Sequence, residues 1–462
     1  MFVGADDPVC PKRQRNTQKG ITLIALIITI IVLLILAVVS IRLVVNNGIL
    51  GKAESAVNKY SDSEINEKIQ LAYSELRMEQ VSNPNVDAEA FLKTSLEKQG
   101  LTEVNVRESD GAGWKVTYDG KVYQIEANGT VGEGLEVGKV KYGNQILGVG
   151  DQVNYDPTLN ATGDTTYSSP ASATGADSAQ AFDAATYKNA GFSWRVLDVK
   201  NGQVRLIADT DVGPGDYSEN KTSYYLKGQA GYINGKNELN TICAIFGHGK
   251  GAASAKSITV EDINNITGYN PKSPRFYQGN WGEYESEVTY TRGDGSALSS
   301  SAKLKSTKEP LTWNGTKSTF KYYNGTEFVD LTGSTTITST YYNKNYNDDA
   351  RKTGVLNADG TFSAPYEILF GKYKYDVSNN YDRSFSGTRE HNYWLASDYV
   401  YAHSNVASWG LCRVNGTDVN NDFLCNSLGN VGDNSRGVRP VVSLKSDVQL
   451  KWNETANEWQ IQ

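Results

Sequence analysis

The sequence predicts a mixed α+β protein with one membrane-spanning helix near its N-terminus and a strand-rich body. Two observations predict this class: a long apolar run early in the chain and the overall composition. The 462 residues include 44 Gly and 28 Tyr but only 2 Met and 3 His, which is typical of strands and turns rather than of a helical bundle. The formal net charge of −7 disfavours nucleic acid as a partner, because phosphate binding requires clustered Lys and Arg.

The apolar run covers residues 21–41 and contains no charged side chain. It is long enough to cross a bilayer as a helix. Basic residues precede it and Arg42 follows it, so the positive-inside rule predicts a single-pass protein of the cell membrane with its bulk extracellular. A cleaved secretory signal fits less well, because the run is too long and no small-x-small cleavage site follows it.

The residues around the start of this run, Gln-Lys-Gly-Ile-Thr-Leu-Ile at positions 18–24, resemble the processing site of type IV prepilins. The resemblance implies that a prepilin peptidase in the membrane cleaves after Gly20 and methylates the new N-terminal residue, Ile21. Ala25 stands where that family usually carries a Glu that pairs with a neighbouring subunit's amine. The resemblance therefore leaves open whether the chain joins a filament with other pilin subunits, and a plain membrane anchor is the alternative.

After the membrane segment, apolar residues at helical spacing predict a helix over about residues 52–81, ended by Asn83-Pro84. This helix is either a solvated stalk or the outer half of a pilin-type helix. A helix over residues 87–99 and a hairpin at Asp119-Gly120 predict a small α+β module. The predicted organisation is a leader peptide at 1–20, a transmembrane and pilin-like stalk helix at 21–82, the small module at 83–135, and a main domain at 136–462 with an insertion at about 270–350.

Within the main domain, Asn201-Gly202 between two apolar runs predicts a second hairpin. Two helices are expected to follow it. Asn237 is expected to cap the first, which places Cys243 in the core as a small apolar residue. Thr259 is expected to cap the second, with Asp262 completing a capping box.

Three segments of the main domain carry a second resemblance: Ser193-Trp-Arg-Val-Leu197, Tyr393-Trp-Leu-Ala-Ser397 and Gly437-Val-Arg-Pro-Val-Val-Ser-Leu444. Together they resemble the C-type-lectin-like fold in its bacterial, formylglycine-generating-enzyme-type form, as in variable proteins of diversity-generating retroelements. The resemblance covers roughly residues 190–450. It implies that a rigid sheet displays a ligand-binding face between the second and third segments, and Arg439 is expected to brace the fold rather than touch ligand.

The candidate display residues are aromatic and polar, since Tyr and Trp give large contact area and Asn gives adaptable hydrogen bonds. They are Asp398, Tyr399, Tyr401, His403, Asn405, Trp409, Arg413, Asn415, Asp422, Phe423, Asn426 and Asn434. An Asn/Gly-rich set of turns without any partner is the alternative interpretation.

Catalytic motifs and metal-ligand spacings were not found in the sequence, so we predict no enzyme activity, no cofactor and no metal site. Cys412 and Cys425 can form a disulfide that clips the display stretch on an outer surface. The alternative for these two residues is a reactive pair, as in the oxidase relatives of the fold.

The sequence thus predicts a cell-surface, pilin-like protein that presents a lectin-like, adhesin-type domain outside the membrane. Its expected partners are the membrane, the prepilin peptidase, other pilin subunits and an unknown surface protein or glycan. The alternative is a minor pilin or pseudopilin with a structural role in a type IV filament or a secretion machine. An enzyme of the formylglycine-generating type is a third hypothesis, and it requires Cys412 and Cys425 as a reactive pair.

Overall fold

A computed structural model describes most of the chain after residue 48. The apolar run at 21–41, the processing site at Gly20 and Ile21, and Asn405 lie outside the described residues. No helix of the described part is long and apolar enough to cross a membrane. The described ranges are 49–109, 113–189, 193–211, 224–267, 287–292, 300–304, 311–313, 320–340, 344–345, 361–375, 383–385, 391–403 and 406–462.

The described chain is mixed α+β, with many strands and few helices, which confirms the predicted class. Contacts divide it into two units, Met1–Lys68 and Ile69–Gln462. Its helices are α1 Ile49–Ser82, α2 Ala88–Lys98, α3 Ala171–Thr174, α4 Ala184–Asn189, α5 Gly228–Ala244, α6 Val260–Thr267 and α7 Ala364–Phe370.

The strands are β1 Asn105–Ser109, β2 Gly113–Tyr118, β3 Lys121–Ile125, β4 Leu135–Glu136, β5 Lys139–Tyr142, β6 Gln145–Gly148, β7 Gln152–Val153, β8 Thr166–Ser169, β9 Gln180–Asp183, β10 Trp194–Lys200, β11 Gln203–Ala208, β12 Tyr224–Lys227, β13 Ala252–Ser257, β14 Glu287–Arg292, β15 Ser300–Leu304, β16 Leu311–Trp313, β17 Lys321–Tyr323, β18 Phe328–Asp330, β19 Ser334–Thr338, β20 Lys344–Asn345, β21 Tyr373–Tyr375, β22 Arg383–Phe385, β23 Asn392–His403, β24 Val406–Asn415, β25 Asp418–Asn426, β26 Asp433–Arg436, β27 Pro440–Leu444, β28 Leu450–Asn453 and β29 Glu458–Ile461.

The small α+β module contains the helix and the hairpin that the sequence predicts. The side chain of Asp87 accepts a hydrogen bond from the Ala90 backbone N–H at 3.1 Å and so caps α2. Strands β1 to β4 form one sheet in chain order. The β2–β3 turn places Asp119 and Gly120 at φ values of 48° and 72°, the left-handed conformation that an Asp-Gly hairpin turn requires.

A seven-stranded sheet, in the order β13-β27-β11-β10-β7-β29-β28, forms the centre of the main domain. The predicted hairpin at Asn201-Gly202 joins β10 to β11 in this sheet. Both faces are buried, since Trp194 and Leu206 belong to one apolar cluster while Leu197 and Ile207 belong to the other. A second sheet, in the order β20-β25-β24-β23, also contributes to both clusters.

Helix α5 begins at Gly228, so the prediction that Asn237 caps it is wrong. Local propensity disfavours helix over this Gly-rich segment, but tertiary packing overrides it. A Cβ atom at Gly235 would lie 2.9 Å from the Leu411 side chain, and one at Gly231 would lie 3.1 Å from the Thr174 carbonyl. The glycines therefore let the helix approach its neighbours closely, and Cys243 is buried in the core as predicted.

Helix α6 begins with the predicted capping box. The Thr259 hydroxyl accepts from the Asp262 N–H at 3.1 Å, and the Asp262 carboxylate accepts from the Thr259 N–H at 3.1 Å. Asp262 also pairs with Arg205, which in turn holds Asp198. Since Arg205 lies on β11 and Asp198 on β10, this buried ion triad ties the helix to the central sheet.

Candidate binding surface

The predicted display stretch, residues 398–436, folds largely as long paired strands rather than as loops. Strand β24 lies between β23 and β25, and the turn after Asn415 joins β24 to β25. Leu411 pairs with Asp398 on one side and with Asp422 on the other. Directly paired residues share one face of a sheet, so these three side chains lie on the same face.

Both faces of this sheet pack against core. Trp409, Leu411 and Leu424 belong to the first apolar cluster, whereas Tyr399 and Cys412 belong to the second. The sheet is therefore a buried layer, and only its margins reach solvent.

Four predicted display residues are buried in the folded domain. Tyr399 and Trp409 are 4% and 2% exposed, and Asp422 and Asn426 are each 7% exposed. The two aromatic side chains fill the core, where they contribute apolar burial. The two polar side chains are satisfied inside the protein, as burial requires.

Asn426 and Asn434 hold the backbone around the loop at residues 427–432. The side-chain oxygen of Asn426, Oδ1, accepts from the Leu428 and Asn430 N–H groups at 3.0 and 2.9 Å. The Asn434 amide donates to the Phe423 carbonyl oxygen at 2.7 Å. Both side chains stabilise the loop through internal hydrogen bonds, so the presence of these two asparagines does not require a ligand.

Asp422 is clamped between two arginines. Its Oδ1 lies 2.7 Å from Arg413 Nε and its Oδ2 lies 2.8 Å from Arg436 Nε. Burial lowers the pKa of Arg413, and Arg436 adds to this, against the opposing effect of Asp422. The clamp joins β24, β25 and β26.

The other predicted display residues reach the surface to different extents. Asp398 and Asn415 are exposed, while Tyr401, Arg413 and Phe423 are partly buried. The side chain of His403 lies outside the described part. Asp398 Oδ2 lies 3.4 Å from Lys236 Nζ of α5, an exposed pair of the kind that contributes little stability.

A group of aromatic side chains lies near Asp398, which acts electrostatically on Tyr232 and pairs with Lys236 one helical turn further along α5. Tyr232 packs against Tyr323 and Phe328 at ring-centroid distances of 5.3 and 6.0 Å, and Phe328 packs edge-on to Trp409 at 5.1 Å. Tyr323 and Phe328 are partly exposed. We name Tyr232, Tyr323 and Phe328 the aromatic patch. Its members come from α5 and from the β17–β18 hairpin, so no local sequence pattern groups them.

Cys412 and Cys425 are free, buried thiols, so the predicted disulfide is wrong. In the pairing of strands β24 and β25, Cys412 lies opposite Asn421, whereas Cys425 lies opposite Trp409. The two thiols belong to different apolar clusters. Burial raises the pKa of both, to about 12 for Cys425. A protonated, buried thiol is a poor nucleophile, and the geometry gives no reactive pair.

Arg439 braces the fold, as predicted. It is fully buried, its Nε donates to the Ala208 carbonyl at 3.0 Å, and its Nη1 donates to the Leu369 carbonyl at 3.2 Å. Its guanidinium lies 5.1 Å from the centre of the Tyr393 ring, within cation–π range. Its position in the core keeps it away from any surface ligand.

A buried Asp–His pair lies beside this arginine. His391 Nδ1 is 3.2 Å from Asp211 Oδ1, and the Asn392 N–H donates to Asp211 Oδ2 at 3.0 Å. Burial and then Arg439 lower the pKa of His391. Burial alone would raise the pKa of Asp211, but His391, Arg439 and the Asn392 N–H together lower it. Within the described ranges no group of three or more His, Cys, Asp or Glu side chains is placed to hold a metal ion.

Comparison of the chain with protein-family models, with curated proteins and with solved structures gave no match. Its function is therefore argued from its own residues. Three features bear on it: the apolar run at residues 21–41 of the sequence, the aromatic patch beside Asp398, and the arginine clamp on Asp422.

Proposed function

We propose that the chain is a membrane-anchored, pilin-like surface protein whose main domain, residues 136–462, is lectin-like and binds an external ligand. The apolar run at 21–41 and the prepilin-like residues at 18–24 support the anchor and its processing. The ligand is a surface protein or a glycan.

The observation that carries the binding role is the aromatic patch. Tyr323 and Phe328 are partly exposed, yet ring packing against Tyr232 and Trp409 holds them in place. Aromatic side chains fixed on a rigid frame give large contact area at low entropic cost, and they are enriched among residues that dominate binding energy. Asp398 and Lys236 provide charge at the edge of this patch.

The arrangement of the three resembling segments supports the lectin-like part of the proposal. The first lies on β10, which pairs with β11, and β11 pairs with β27 of the third segment. The second segment contacts the third through the backbone N–H of Trp394, which donates to the Gly437 carbonyl at 2.9 Å. Segments far apart in sequence thus lie together, as a shared fold would require.

A structural role as a minor pilin or pseudopilin remains a second candidate, favoured by the surface of α1. Leu71, Met78 and Val81 are exposed and recur at spacings of seven and three, which places them along one stripe of the helix. Ile69 and Leu76 are buried on another face. An exposed apolar stripe indicates a contact with another subunit.

The binding role is tested with the full chain displayed on cells, probed with arrays of bacterial and host surface proteins and of glycans. We expect Phe328→Ala and Asp398→Ala to reduce adhesion to the captured ligand by at least about tenfold. Asp447→Ala, an exposed carboxylate outside the patch, is the matched control and should leave adhesion unchanged. Equal adhesion by the patch variants and the parent chain would refute the role of the patch.

The anchor is tested separately by mass spectrometry of protein recovered from the cell surface. A chain that begins at Ile21 with one added methyl group supports prepilin-type processing. A chain that still carries residues 1–20 removes the pilin part of the proposal and leaves a membrane-anchored binding protein.

A further inference from the structure

The arginine clamp contains more positive charge than its own carboxylate can balance. The side chains of Arg413, Asp422 and Arg436 are 14%, 8% and 21% exposed. Two guanidinium groups are in contact with one carboxylate, so Asp422 alone balances one of their two positive charges. Asp418 is the next carboxylate that acts on Arg413, but burial still lowers the pKa of Arg413.

The clamp also has unused hydrogen-bond donors. Arg436 Nε donates to Asp422 Oδ2 at 2.8 Å, and Arg436 Nη1 donates to the Ser435 carbonyl at 2.9 Å. Arg413 Nε lies 2.7 Å from Asp422 Oδ1 without hydrogen-bond geometry, and this buried nitrogen has no hydrogen-bond partner among the described residues. A guanidinium presents five N–H donors in a planar fork that matches an oxyanion.

A brace between strands does not explain this composition. One arginine per aspartate balances charge, and a second arginine adds a desolvation cost without adding an acceptor. The ion triad around Arg205 follows the opposite pattern, with one arginine between Asp198 and Asp262. An arrangement of two arginines and one carboxylate gains most when a further anion completes it.

We propose that Arg413 and Arg436 form a binding site for an oxyanion, namely a carboxylate, sulfate or phosphate group of the ligand. The proposal rests on the proposed function, since it names the chemical class that the surface ligand carries. Asp422 lies in contact with both Nε atoms and holds the two guanidinium groups close to each other. The Nη atoms of Arg413 are then the donors that bind the incoming oxygen atoms.

The test is direct binding by the full chain in detergent micelles, measured by isothermal titration with sodium sulfate, sodium phosphate and sodium acetate at matched ionic strength. We expect saturable binding of at least one of these probes. Its Kd should rise by about tenfold or more in Arg413→Gln, because a charge-assisted donor pair is lost. Preference among the three probes separates a sulfate or phosphate source from a carboxylate source.

Arg195→Gln is the matched control, since Arg195 is also a partly exposed arginine paired with an aspartate, 3.7 Å from Asp209, but has no second arginine beside it. This variant should bind the probe like the parent chain. Arg413→Lys, which keeps the positive charge, replaces Arg413→Gln if the Gln variant does not fold. It should also weaken binding, because Lys lacks the planar fork of donors. Absence of saturable binding by the parent chain, or equal affinity in the folded Arg413 variants, overturns the inference.

The inference and the proposed function fail in different ways. Loss of adhesion on changing the aromatic patch, together with an unchanged Kd for the probe in Arg413→Gln, overturns the oxyanion site alone. Saturable probe binding that depends on Arg413, without any adhesion by the displayed chain, supports the site and overturns the adhesin role.

Discussion

Substitution of Trp409 tests whether the stretch 398–436 belongs to the core or forms a display surface. The residue is 2% exposed, lies on the middle strand β24, and packs edge-on to Phe328 at 5.1 Å. Replacing a buried Trp with Ala removes its transfer free energy and leaves a cavity, which costs about 3–5 kcal/mol. The lost aromatic pair accounts for about 0.5–1.5 kcal/mol of interaction, so we expect Trp409→Ala to lower the free energy of unfolding by about 4 kcal/mol.

A domain has about 5–15 kcal/mol of stability in total, so the variant should fold but unfold at a much lower urea concentration. The assay is the midpoint of the far-UV circular dichroism transition of the full chain in detergent micelles. Asn415→Ala is the matched control, because Asn415 belongs to the same sheet and to the same predicted set but is exposed. It should change stability by no more than about 0.5 kcal/mol.

A loss below about 1 kcal/mol in Trp409→Ala, accompanied by reduced ligand binding, would refute this reasoning. It would mean that Trp409 faces a ligand and that the stretch is a display surface. A large loss of stability with a small effect in the control would place the residue in the core.

Three further predictions concern a helix cap, a buried Asp–His pair and two buried thiols. Thr259→Ala should cost about 1 kcal/mol in the same urea assay because α6 loses its cap, whereas Thr259→Ser should keep most of it; equal losses would exclude the capping role. Stability should fall as the pH drops below about 6.5, because His391 has a lowered pKa when folded and must take up a proton on unfolding. The lowered pKa of Asp211 extends this loss of stability to more acidic pH. A His391→Gln variant with the same pH–stability profile between pH 5 and 7 would contradict the role of His391. Thiol titration of the denatured, unreduced chain should find Cys412 and Cys425 free, and a Cys412–Cys425 bridge identified by peptide mapping would contradict the pairing of strands β24 and β25.

The elements predicted correctly are those fixed by a few neighbouring residues. Asp119-Gly120 and Asn201-Gly202 both adopt positive φ at their turns, which few other residue pairs accept without strain. The capping box of Thr259 and Asp262 likewise needs only one helical turn of chain. Local chemistry of this kind can be read from a sequence because its partners are neighbours in that sequence.

Composition and pattern point in different directions in the display stretch. Tyr, Trp and Asn in the stretch suggested adaptable surface contacts. The run Val-Ala-Ser-Trp-Gly-Leu-Cys-Arg-Val at 406–414 is nearly continuous in apolar residues, which is the signal of a strand buried on both faces. The aromatic patch was missed for a different reason, since Tyr232 and Tyr323 come together only through packing of α5 against a hairpin.

For the proposed binding role, a sheet buried on both faces limits which residues can contact a ligand. At the bulge in β24, a Cβ atom on Gly410 would collide with the Asp422 carbonyl and with the Tyr399 ring. Changes at such positions disturb the core before they alter a surface, and their cost is cavity or strain energy. Residues that are exposed at the margin, such as Asp398 and Asn415, can change at little cost in stability. Specificity is therefore expected to depend on the edge of this sheet, the aromatic patch and the arginine clamp, while the buried strands keep those three regions in fixed relative positions.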